Sequence, residues 1–322
     1  MVALYRKRHL SHRKFGIVTL SLLLLFIGIK RDHNVGGMFG LFSRRENEGP
    51  GYDKTPWVFK GRAIYQLHPV KVEEARKYIP SNVNIVQFGG YTLGGWYLAN
   101  YTESPATDNK KFGELVALAG LVWNPPTSCA WASQVYVSSK CAKKHGERVV
   151  GLPENLATFE LSHKDLKRPF LEVKSGGKVI WSGWIPRERT GWRAGFPIRM
   201  DLPSLSGCTR LQPNLLNYWL DLRGKLSLVA PTCKVNVDES SPLYPIVKNR
   251  PLVSMLFEDL SMDVNPPTKF DARQTFKNVP LPFLQASNKD SSWSLLQYFT
   301  KGETLEGNTV TKSSATDTAT LL

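Results

Sequence analysis

The stretch Phe59–His68, FKGRAIYQLH, puts Phe59, Gly61, Ala63, Tyr65 and Leu67 on one face of an extended chain. Lys60, Arg62, Ile64, Gln66 and His68 fall on the other. A period of two is the signature of a β-strand, because successive side chains leave a pleated chain in opposite directions. The same period returns in Leu220–Leu228, where Leu220, Leu222, Leu226 and Leu228 oppose Asp221, Arg223, Lys225 and Ser227. In Val253–Val264 the apolar phase runs through Val253, Met255 and Phe257, then resumes at Leu260, Met262 and Val264. A slip of one residue predicts a β-bulge. Further strand-like runs cover 84–88, 91–101, 112–122, 129–137, 156–161, 170–174, 178–183 and 196–200. Helical patterns are few: 70–79, 139–147 and a short run at 293–299 behind Ser291 and Ser292. The expected class is mainly β, a β-rich α+β chain built on an antiparallel sheet system or barrel. No G-x-G-x-x-G or G-K-[ST] loop argues for a nucleotide fold.

The chain has 322 residues and a formal charge of +15. Residues 1–45 hold nine Lys and Arg against one acid, Asp32, so more than half of that excess sits in the leader and the body is only mildly basic. With no helix-turn-helix pattern or basic stripe, nucleic acid is not an expected partner. Phe15–Ile29 is uncharged and follows a basic run. At about 1.5 Å per residue it is short for a spanning helix and suits a signal segment or a short anchor. The expectation is membrane association through residues 15–29, or targeting to a secretory compartment or an organelle, a plastid included. Residues 1–50 then form leader, hydrophobic segment and linker, 51–287 the β domain, and 288–322 a short helix with a polar tail. Cys129, Cys141, Cys208 and Cys233 have no C-x-x-C spacing, and the histidines no H-E-x-x-H, so neither a metal nor another cofactor is expected. Association of identical chains is left open.

Two stretches carry candidate chemistry. Glu114 opens an apolar run in FGELVALAGLV, where a carboxylate stands either at a wet strand end or partly buried with a raised pKa. Arg62, mid-strand, either pairs an acid within a cavity or lies on a surface face. At Gly151-Leu152-Pro153 the chain turns and presents Glu154 and Asn155 before re-entering an alternating run. Nine tryptophans are many for this length. They serve as core filler or as the lining of a large apolar pocket.

Five runs together, 57–80, 90–101, 112–137, 151–159 and 198–218, resemble the plant neoxanthin-deficient proteins of the acetoacetate decarboxylase-like superfamily. GLVWNPPTSCAW (120–131) is the most specific piece. The resemblance covers most of 56–160 and about 195–225. It implies a cone-like barrel around a cavity. In the decarboxylases the turn resembling GLPENLA carries a lysine pair, one member of which forms a Schiff base. Glu154 and Asn155 stand at those positions, and neither can form an imine. Glu114 is similar to the superfamily's cavity glutamate and Arg62 to its cavity arginine. Asn155, Trp123, Trp131 and Tyr65 are candidate ligand contacts. The implied function is carotenoid biosynthesis of the neoxanthin type, with a hydrophobic, carotenoid-like ligand and an epoxide-opening isomerisation run by Glu114 and Glu154 with Arg62. The alternatives are a non-catalytic carrier of a hydrophobic ligand, or a lyase or isomerase of small keto acids using Lys143 or Lys144.

Overall fold

The computed structural model describes Tyr52 and residues 54–124, 127–162, 170–185, 195–229 and 235–270. The hydrophobic segment 15–29, the helix expected at 293–299 and the tail lie outside the described residues. Among those described, no helix is long and apolar enough to cross a membrane.

Among the described residues thirteen strands run in order: β1 (Trp57–Lys71), β2 (Tyr91–Glu103), β3 (Phe112–Asn124), β4 (Thr127–Val137), β5 (Glu154–Leu156), β6 (Thr158–Ser162), β7 (Phe170–Ser175), β8 (Lys178–Trp184), β9 (Phe196–Gly207), β10 (Leu215–Val229), β11 (Val235–Asn236), β12 (Val253–Val264) and β13 (Thr268–Lys269). Three short helices among the same described residues accompany them: α1 (Val72–Arg76), α2 (Lys140–His145), which runs into a π-helical turn Gly146–Val150, and α3 (Tyr244–Val247). A nine-stranded sheet has the order β13-β10-β12-β1-β2-β3-β4-β5, with β9 on the free side of β10. A four-stranded sheet has the order β11-β8-β7-β6. The run at 84–88 makes only isolated bridges, Ile85 with Val122 and Phe88 with Tyr91.

Two expectations change. The large sheet is mixed, because β5 pairs with β4 in parallel. Parallel neighbours need a crossover, and α2 with the π turn supplies it. The sheet also does not close into a barrel: β9 is hydrogen-bonded along β10 alone. The segment between α2 and β5 meets β9 instead, through Gly207 N–H to the Gly151 carbonyl (3.1 Å) and the Ser206 hydroxyl to the Val150 carbonyl.

The predicted bulge is present. The β12 register slips against both neighbours, from Gly61–Leu260 to Ala63–Phe257 on β1 and from Arg223–Ser261 to Lys225–Glu258 on β10. Asp259 takes up the extra residue at φ 52°.

The pleat of the large sheet separates two apolar regions. On its outer face Ile64, Trp96, Leu98 and Leu115 pack with α1, α3 and the small sheet, where Trp181 meets Trp96 edge-on at 5.1 Å. Inside that layer, Trp96 Nε1–H donates to Gln66 Oε1 (2.9 Å), and Gln66 Nε2–H donates to the Ser254 hydroxyl (2.8 Å). Indole nitrogen only donates, so it fixes which end of the Gln66 amide is the acceptor. On the inner face Ala63, Tyr65, Leu67, Ala99, Tyr101 and Phe112 belong to the second region, and the cavity opens there. Gly95 lets β2 press against β1: at φ 139°, a Cβ there would stand 1.9 Å from the Gln66 carbonyl oxygen. Gly95→Ala is expected to cost about 2–4 kcal/mol of stability, read by urea unfolding.

Candidate active site

The inner face encloses a cavity of about 550 Å³. Its walls include the alternate residues Phe112, Glu114, Val116 and Leu118 of β3, Leu220 and Leu222 of β10, and nearly the whole run of β9 from Pro197 to Leu205. Most of this lining is aliphatic or aromatic. Among the described residues that line it there is no lysine.

Glu114 sits between Ala99 on β2 and Val137 on β4. Its carboxyl is surrounded by protein, the residue as a whole is half-buried, and it lines the cavity. The Tyr101 hydroxyl donates to Glu114 Oε2 at 2.7 Å, and the Tyr97 hydroxyl lies 3.3 Å from that of Tyr101. Burial pushes the Glu114 carboxyl above the usual carboxylate range, and the Tyr101 hydrogen bond pulls part of the way back.

Glu154 opens β5 and turns its side chain inward, where only 6% remains exposed. The Asp108 carboxylate accepts from the Ser139 hydroxyl and the Cys141 N–H, and Ser139 caps α2 through Ala142 N–H. The helix then widens into the π turn, which ends on Gly151 at φ 76°. Gly146 therefore faces the Glu154 carboxyl, and a Cβ on it would lie 1.5 Å from Glu154 Oε1. Glu154 Oε2 is buried with no hydrogen-bond partner among the described residues. Burial raises the Glu154 pKa well above the ordinary range. The Glu114 and Glu147 charges add to this, and Lys143 opposes it. Lys143 is itself paired with Glu147.

Tyr65 also lines the cavity, whereas Arg62, Asn155, Trp123 and Trp131 do not. The pleat explains the placement of Arg62, Asn155 and Trp131. Arg62 is on the β1 face opposite Tyr65. Asn155 is one residue from Glu154 and donates instead to Gln134 Oε1 (3.1 Å). Trp131 is packed in the outer region and borders a separate pocket of about 160 Å³. Beyond the register shifts near Gly120, Trp123 lies where its main-chain N–H bonds the Asn84 carbonyl. Four residues that sequence reasoning missed also face the cavity: Tyr52, Trp57, Tyr101 and His145. Tyr52 stacks on His145 at 3.9 Å, and Trp57 meets the same ring edge-on at 4.2 Å.

Comparison with known proteins identifies the relatives. Protein NEOXANTHIN-DEFICIENT 1 of Oryza sativa subsp. japonica is 34% identical, over 67% of this chain and 90% of that protein. The chain belongs to the neoxanthin-deficient family. The Arabidopsis thaliana member is 35% identical over 67% of this chain and 94% of its own. The Solanum lycopersicum member is 40% identical over 56% and 71%. No family model matches. Among solved structures, the enduracididine biosynthesis enzyme MppR is similar at a TM-score of 0.47 and 12% identity, over 67% of this chain and 88% of that one. An acetoacetate decarboxylase from Legionella pneumophila is similar at 0.46 and 12%, over 72% and 92%.

Proposed function

We propose that this member of the neoxanthin-deficient family acts in carotenoid biosynthesis by taking one ring and the adjoining polyene of a xanthophyll into the inner cavity. The relatives' names support the pathway, and the apolar walls support the ligand class. Pockets of roughly 300–1,000 Å³ enclose a drug-sized body; one end group matches that scale, and the rest of the pigment would extend outside.

The observation that carries a catalytic reading is the pair of unlike carboxyls on one largely apolar cavity. Glu154, buried with its Oε2 unpartnered among the described residues, is set to remain protonated and serve as the acid. Glu114, held by the Tyr101 hydroxyl, is the easier of the two to ionise and serves as the base. Environments that push two carboxyls apart are how one site supplies both roles. In the proposed isomerisation Glu154 gives its proton to the epoxide oxygen as the ring C–O bond breaks. Glu114 takes the vinylic proton, and that C–H electron pair becomes the new double bond of the allene. Atoms and electrons balance without an oxidant or reductant, and the two carboxyls then re-equilibrate their proton.

The competing keto-acid reading has little support, since Lys143 is engaged with Glu147 and does not line the cavity. The carrier reading is separated by Glu114→Gln. Conversion of violaxanthin in detergent, followed chromatographically, is expected to fall by roughly 10²–10⁴-fold while pigment stays bound. Full conversion by Glu114→Gln would sink the assignment.

A further inference from the structure

We propose that the indole N–H of Trp57 and the Nε2–H of His145 form a two-donor seat for an oxygen atom of the ligand. The seat rests on the cavity being a site for a hydrophobic ligand, and it adds that the ligand's enclosed end is oxygenated.

The two side chains line the cavity and are 4% and 3% exposed. Their ring centroids are 4.2 Å apart with the planes at 84°. Trp57 Nε1 and His145 Nε2 are both buried with no hydrogen-bond partner among the described residues. Buried polar groups in native proteins are nearly always partnered, so two adjacent exceptions on one cavity wall need an explanation.

The protonation of His145 follows from its other nitrogen. Tyr52 N–H reaches His145 Nδ1 at 3.0 Å, and a backbone N–H can only donate. Nδ1 is therefore the acceptor and Nε2 carries the hydrogen. Burial lowers the His145 pKa to about 4, so the ring is neutral at physiological pH. Indole is likewise a donor without acceptor capacity. Two neutral donors and no acceptor select an atom with lone pairs: an ether or epoxide oxygen, a carbonyl, a hydroxyl, or the alkoxide that develops as an epoxide opens. His145 is followed in the chain by Gly146, which faces the Glu154 carboxyl, so the seat stands on the side of the cavity where the proposed acid is. A pure hydrocarbon entering this end would leave both donors unmet.

Two substitutions separate this seat from a packing role. His145→Asn keeps an oxygen near the position of Nδ1 to accept from Tyr52 and removes the Nε2 donor. His145→Gln brings an amide N–H near the position of Nε2. The full chain in detergent is titrated with violaxanthin and with β-carotene. The wild type is expected to prefer violaxanthin by roughly 10-fold or more, since a site built to hydrogen-bond discriminates against the analogue lacking the partner. In His145→Asn and Trp57→Phe that ratio should fall towards one, and in His145→Gln it should be largely retained. Equal affinity for both pigments in the wild type, or an unchanged ratio in His145→Asn and Trp57→Phe, overturns the seat. Should neither pigment bind, the carotenoid reading fails, and small rings decide the seat by themselves. Cyclohexene oxide, but not cyclohexene, is expected to shift both ring N–H protons in isotope-edited NMR. No shift with the epoxide overturns it.

Discussion

Glu154→Gln is expected to melt higher than the wild type at about pH 7.5 while losing pigment conversion by roughly 10²–10⁴-fold. The two effects share one cause. The Glu154 carboxyl is 6% exposed, one of its oxygens has no partner among the described residues, and its folded pKa lies well above the ordinary value. In the unfolded chain the same group ionises near about 4.3. A raised folded pKa means that folding takes up a proton, so the support this group gives the fold is complete below the unfolded pKa and is lost as pH rises towards the folded one. Glutamine has the shape of the protonated acid and no titration. The melting difference should therefore be small near pH 4 and grow towards neutrality. A gain of about 1–3 kcal/mol corresponds to several degrees, at about 2–4 °C per kcal/mol for a domain of this size. Scanning calorimetry of both proteins at the two pH values reads it. An equal difference at both would show that Glu154 does not titrate in the proposed way.

Gly146→Ala tests the same carboxyl from the other side. The backbone at Gly146 is ordinary helix, φ −60° and ψ −44°, so alanine suits it and on propensity alone should gain about 0.5–1 kcal/mol. Space decides otherwise. The new methyl would meet Glu154 Oε1 at 1.5 Å and Cδ at 2.2 Å, and the carboxyl must leave its seat. Conversion is expected to drop by roughly 10²-fold or more, because misplacing a reacting group by an ångström has that effect. Stability should fall by about 1–3 kcal/mol from overpacking. In a Glu154→Ala background the obstacle is gone, and Gly146→Ala should become neutral or stabilising. A double-mutant cycle that shows no coupling would mean that Gly146 does not hold Glu154 in place.

Strand period, the bulge after Phe257 and the two carboxyls were readable because each depends on local residue order. Glu114 stood out as a charge at the head of an apolar run, and Glu154 as the residue presented by a Gly-Leu-Pro turn. Arg62, Asn155 and Trp131 have suitable chemistry, but the pleat places each off the cavity wall, and Trp123 lies beyond a register shift. One residue of phase decides that, and phase relative to a cavity is a property of the assembled sheet. The unclosed barrel was also beyond local reading. It depends on whether β9 finds hydrogen-bond partners across the gap, and the segment ending at Gly151 occupies that place. Tyr52 stands ahead of the first strand-like run, and only its stacking on His145 shows that it belongs to the site. The donors of Trp57 and His145 carry no pattern in the sequence. Their meaning lies in the partners they lack within the described fold.

The most direct test of the whole reading is a single incubation of the purified wild-type full chain with stoichiometric violaxanthin in detergent, followed by separation of bound from free pigment and chromatography of each. The expected result is pigment retained with the protein and converted to its allenic isomer. Violaxanthin recovered unbound and unchanged would contradict both the ligand and the chemistry proposed for this cavity.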